Sequence, residues 1–100
     1  MKKTKNSKEL EKIKKPIIKV LKKYKIKKAG IFGSFVRNEQ KKNSDVDILI
    51  QPTKDMSLLL FIHVKHELED KLHKKIDLVS YKGIHPLLKK QILQEEVKII

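Results

Sequence analysis

The stretch KKAGIFGSFVRNEQKKNSDVDILI, residues 27–50, decides how the rest of the chain is read. Its first part, Lys27 to Gly33, is a short apolar run bounded by glycine, as a buried strand would be. Gly33-Ser34 stands where that strand must end and turn. Phe35 to Gln40 has room for about one helical turn, and Lys41 to Ser44 is a polar loop. Asp45 to Ile50 then alternates: Val46, Ile48 and Ile50 share one face of a strand, and Asp45, Asp47 and Leu49 share the other. Pro52 ends it.

Working outward, Leu10, Ile13, Ile17, Val20, Leu21 and Tyr24 recur at helical spacing, with lysines filling the other face. Pro16 interrupts the pattern, so either the helix begins near it or two pieces meet at a kink. A helix fits Leu58 to Leu72, where Leu58, Phe61, Leu68 and Leu72 line up. Ile76 to Ser80 reads as a strand with Asp77 and Val79 on the face opposite Ile76 and Leu78. Pro86 begins a further helix to about Glu95, with Leu87, Leu88 and Ile92 expected inward, and Val97 to Ile100 closes as a strand. Helices alternating with strands predict an α/β or α+β fold, helices packed on one sheet. Residues 1–9 are expected as a frayed or disordered N-terminus, and 10–100 as one domain.

The composition narrows the function. A chain of 100 residues has one core and no deep vault of its own making, so a large substrate must be met at an open face or completed by a partner. Its formal charge of +13 is lopsided. Up to Lys28 there are 13 lysines against Glu9 and Glu11; from Ala29 onward the balance is only +2. Basicity is nearly all lysine, with Arg37 the single arginine, which favours diffuse attraction to anions over bidentate base reading. The plain reading of the first helix is a solvated basic face. No cysteine means no disulfide scaffold, thiol chemistry or zinc ribbon. The longest apolar run, Leu58 to Ile62, is far short of a membrane span, and a cytoplasmic protein is expected.

Three carboxylates carry the chemistry. Asp45 and Asp47 lie about 6.5 Å apart along one strand face. Asp77 has the same phase on a later apolar strand, so if the two strands are neighbours the acids converge on one patch. Such anions repel unless a cation neutralises them, and a hard, oxygen-loving ion such as Mg²⁺ suits a few carboxylates plus substrate phosphates. Read singly, Asp45 is a strand-start residue and Asp77 an edge charge, and Gly-Ser is a turn. Together they pair a phosphate cradle with a metal site, as phosphoryl or nucleotidyl transfer requires.

Gly33-Ser34, ten intervening residues, then Asp45-Val46-Asp47 resembles the signature of the DNA polymerase beta-like nucleotidyltransferase superfamily. The resemblance is strongest to its minimal nucleotidyltransferase (MNT) branch, the antitoxin half of HEPN/MNT toxin–antitoxin pairs. It extends through KIKKAGIFGSFVR, NSDVDILI, the helix to Leu72, KIDLVS and HPLLKKQILQEEVKII, covering roughly residues 10 to 100. It implies a mixed palm-type sheet of about four strands and Mg²⁺-dependent transfer of AMP from ATP to a hydroxyl, typically a tyrosine of a HEPN-type toxin held in a hetero-oligomer. By position, Gly33, Ser34 and Arg37 would hold the triphosphate and Asp45, Asp47 and Asp77 two metal ions, Asp77 also accepting the proton of the attacking hydroxyl. The family often has glycine after that arginine; here Asn38 follows Arg37.

Other readings stay open beside it: a module that neutralises a toxin by contact alone, or a nucleic-acid binder using the lysine-rich first helix, whose mark would be steep salt dependence. His63 and His66, three apart on a helix, read as solvated or packed residues rather than ligands, and His85 as the residue leading into the last helix. Phe32 and Phe35 read as core before adenine contacts, and Tyr24 and Tyr81 carry no readable role.

Overall fold

Helix α1 runs Ser7–Lys23 without a break at Pro16. The proline removes a backbone donor at a cost of about 3 kcal/mol, but Ile13 and Ile17 on either side are buried, each contributing about 1.5–3 kcal/mol. Burial on both flanks outweighs the lost bond, so the helix does not start at Pro16 but continues through it. Past Lys23, Lys25 takes a left-handed conformation (φ 63°), and the Ile26 N–H returns to the Leu21 carbonyl at 3.0 Å, which stops the helix.

The computed structural model describes residues 7–33, 36 and 45–100. After α1 come β1 (Ala29–Phe32), β2 (Val46–Ile50), α2 (Leu58–Leu72), β3 (Ile76–Ser80), a 3₁₀ turn (Tyr81–Gly83), α3 (Pro86–Glu95) and β4 (Val97–Lys98). The one-turn helix expected over Phe35 to Gln40 lies, apart from Val36, outside the described residues. The strands form one mixed sheet in the order β3-β2-β1-β4: β1 is antiparallel to both β2 and β4, and β2 is parallel to β3.

One face of this sheet is the core. Ala29 and Ile31, Val46, Ile48 and Ile50, and Ile76 and Leu78 alternate onto it and pack with Ile17 and Leu21 of α1 and Val64 and Leu68 of α2. The register puts Ile31 opposite Ile48 and Ile48 opposite Leu78, an unbroken apolar row across three strands. Helix α2 is capped by Ser57, whose Oγ accepts from the Leu60 N–H at 3.1 Å, and it ends at left-handed His73. His85 caps α3, its Nδ1 accepting from the Leu87 N–H at 3.1 Å.

The expected apolar faces of α2 and α3 are corrected at three residues. Leu58 is 73% exposed and Leu87 is 86% exposed, with Leu88 also on the surface. Helical spacing identified apolar residues, but no described element packs over the first turns of α2 and α3. Among the described residues no helix is long and apolar enough to cross a membrane.

Candidate active site

Strand directions gather the acids. Because β2 and β3 are parallel, both begin at the same end of the sheet, and Asp47 pairs in register with Asp77. Antiparallel β1 ends there, with Phe32 opposite Asp47 and Gly33 next along the chain. Phe32, Asp47 and Asp77 therefore form a row on the face turned away from the apolar core. Asp47 is half-buried and Asp77 exposed; Asp45, exposed, immediately precedes β2.

Gly33 is the tightest point of this corner. Its φ of +83° lies where side chains are strained, and a Cβ there would sit 2.0 Å from Oδ2 of Asp47 and 3.0 Å from its Cγ. The Asp47 carboxylate thus lies directly over the glycine backbone. Val36 N–H donates to the Gly33 carbonyl at 3.0 Å, turning the chain immediately after the strand. Ser34 and Arg37, expected at the phosphates, lie outside the described residues.

Among the described residues, no three acidic or histidine side chains are gathered closely enough to hold an ion by themselves. A site for Mg²⁺ does not require that, since the ion keeps several waters and takes one or two carboxylates plus substrate phosphates. The donor set fits such an ion: hard carboxylate oxygens on adjacent strands, with a glycine notch that lets phosphate approach the backbone. His63 and His66 are engaged elsewhere, His63 4.0 Å from Glu67 and edge-on to Tyr24, His66 3.2 Å from Glu69.

Three supports escaped the sequence reading. Glu69 of α2 accepts from the Ile76 N–H at 3.2 Å and from Lys65 at 3.1 Å, pinning the start of β3 one residue before Asp77. That backbone bond, then the Lys65 ammonium, hold the Glu69 carboxyl below the ordinary range despite partial burial. Val46 N–H donates to the Lys75 carbonyl at 3.0 Å and ties the two strand starts together. Further along the same face Gly30 makes a second notch, filled by Glu96: a Cβ would lie 2.1 Å from its Oε2. Tyr81 donates its hydroxyl to Glu96, and burial, then this bond, raise the phenol well above its usual range. An acid three residues from a helix end and a glycine inside a strand were the available signals.

Residues 15–100 match the family described as Polymerase beta, Nucleotidyltransferase. The chain belongs to this nucleotidyltransferase family. A candidate protein adenylyltransferase of Methanocaldococcus jannaschii is 47% identical over 91 residues, covering 91% of this chain and 98% of that protein. Among solved structures, a chain of a toxin–antitoxin complex with AMP-PNP superposes with a TM-score of 0.77 at 24% identity, covering 87% of this chain and 72% of the other. A chain from the complex of a tri-AMPylated Shewanella oneidensis HEPN toxin with an MNT antitoxin gives a TM-score of 0.70 at 20% identity, covering 90% and 71%. The fold is accordingly that of the minimal nucleotidyltransferases, as the resemblance implied.

Proposed function

We propose that this nucleotidyltransferase is a protein adenylyltransferase that moves AMP from ATP to a hydroxyl of a HEPN-type partner, most simply a tyrosine, and thereby acts as the antitoxin of the pair. The observation that carries this reading is the corner where Asp47 lies over Gly33 and in register with Asp77. The likeness to the M. jannaschii protein and to complexes holding AMP-PNP or an AMPylated toxin supports the choice of nucleotide and acceptor.

In this mechanism the backbone at Gly33, with Ser34 and Arg37, holds the triphosphate, since a residue without Cβ allows phosphate oxygens close to the main chain. The acceptor oxygen attacks the α-phosphorus of ATP, the bond to the β-phosphate oxygen breaks, and pyrophosphate leaves. Asp77 takes the proton released by the attacking hydroxyl. Asp45, Asp47 and Asp77 would hold Mg²⁺, two ions in the family pattern, which supplies charge neutralisation for the attacking and leaving oxygens. The open, exposed setting of Asp45 and Asp77 leaves room for an acceptor presented by another chain.

The test is label transfer from ATP, with Mg²⁺ present, to a HEPN protein encoded beside this chain, comparing the wild type with Asp45→Ala and Asp47→Ala. Transfer in the wild type and none in the variants is expected. Undiminished transfer in both variants overturns the site assignment, and no transfer by the wild type to any HEPN partner overturns the antitoxin reading.

A further inference from the structure

At the end of the sheet opposite the acidic corner, the α1–β1 turn and the β2–α2 loop border an open cleft of about 620 Å³ lined by Lys25, Lys27, Lys28, Gln51, Pro52, Thr53 and Lys54. It adjoins a second cleft of about 580 Å³ that shares Gln51 to Lys54 and continues over Ser80, Tyr81 and Lys82. Each has the size of a small-ligand site, and the shared loop joins them into one groove. All five lysines are exposed.

These five differ from the lysines of the helical side that sit in ion pairs. On the helical side, Lys14 pairs with Glu11, Lys23 with Glu67 and Lys65 with Glu69, at 2.8–3.1 Å. No ion pair among the described residues takes up Lys25, Lys27, Lys28, Lys54 or Lys82. Two acids stand near. Asp55 opens onto an adjoining recess with Lys25, and Glu96 is already engaged by Tyr81. Lys28 lies 4.6 Å from the centroid of the Tyr81 ring, so one aromatic face is set among the cations.

We propose that this groove binds the phosphate backbone of single-stranded nucleic acid, independently of the adenylyl-transfer site. Five uncompensated cations along one continuous groove form the footprint of a strand with repeating phosphates. Lysine, unlike arginine, reads no base edge, so binding is sequence-tolerant. A protein partner fits less well, because lysine is depleted from protein interfaces while aromatic residues and arginine are enriched. The outer lysines of α1, the helix the sequence suggested for nucleic acid, line neither of these two clefts.

The test is fluorescence anisotropy with a labelled 20-nucleotide single-stranded RNA, titrated across salt concentrations. Lys27→Ala/Lys54→Ala/Lys82→Ala is compared with Lys15→Ala/Lys19→Ala/Lys22→Ala, which removes the same charge from α1. The groove variant should bind at least about tenfold more weakly and flatten the slope of log K against log salt by about 2, while the α1 variant changes little. Circular dichroism confirms that both are folded, and label transfer from ATP should be unchanged in both. Equal losses in the two variants, preference for duplex, or a groove variant that binds RNA normally but loses its protein partner would each overturn the proposal. Because the probe is RNA alone, the outcome does not depend on whether the adenylyl-transfer reading holds.

Discussion

At one end of the sheet, Asp47 and Asp77 stand in register beside Gly33; at the other, five lysines line a groove over the same strands. The acidic end is built by strand starts, where two parallel strands must begin together. The basic end is built by loops and a turn, whose residues are free of the sheet's alternation. Geometry is therefore tight at the first end, where a single methyl would collide with Asp47, and permissive at the second. The contrast separates a site that positions reacting atoms from a surface that attracts charge, and it hides inside a formal charge of +13.

The largest effect expected at the acidic end is on chemistry alone. Asp47→Asn should lower AMP transfer by about 1,000-fold, the scale of losing metal-borne charge stabilisation, with little change in melting temperature. Asp77→Asn should fall in the same range. A variant that melts early while transferring normally would make these acids structural.

Gly33→Ala tests the tightness itself. The positive φ and the 2.0 Å approach to Asp47 predict a loss of about 1–3 kcal/mol in stability and about 100-fold in transfer, measured by urea unfolding and label transfer. If alanine were accepted at Gly33 without loss, the close approach would carry no function. The lysine variants sharpen the comparison from the other side. They should weaken RNA about tenfold and leave transfer intact, whereas coupled losses would merge the two ends into one site.

The smallest effect is expected at Glu69, which supports the acidic corner from α2. Its carboxyl is held below the ordinary 4.5 mainly by the Ile76 N–H. A group lowered in the folded state contributes stability that is present above its unfolded value and is lost as pH falls through the folded value. Glu69→Gln should therefore cost about 1 kcal/mol at pH 7, and the difference from wild type should vanish at pH below the folded value. Melting temperatures across pH 3 to 7 check this, and a gap that persists unchanged at the acid limit would place the effect in packing.

Much of this was legible beforehand. Alternation in residues 45–50 and 76–80 placed Asp47 and Asp77 off the core face, because a period of two in apolar residues has one meaning when one face is buried. The bounds of α2 and β3 followed from the same patterns. Leu58 and Leu87 did not, since periodicity says which residues are apolar and not whether another element covers them. At Pro16 local backbone chemistry allowed a helix start that burial of Ile13 and Ile17 overrides.

By itself, then, the order of residues determined the strands, the phase of their acids and the family, all of which depend on short-range spacing. The tertiary structure alone decided that β2 and β3 are parallel neighbours in register, that Glu96 fills the notch at Gly30, and that lysines from three separate segments share one groove. Those are long-range choices, made by how strands pair and which surfaces bury, and no local pattern encodes them.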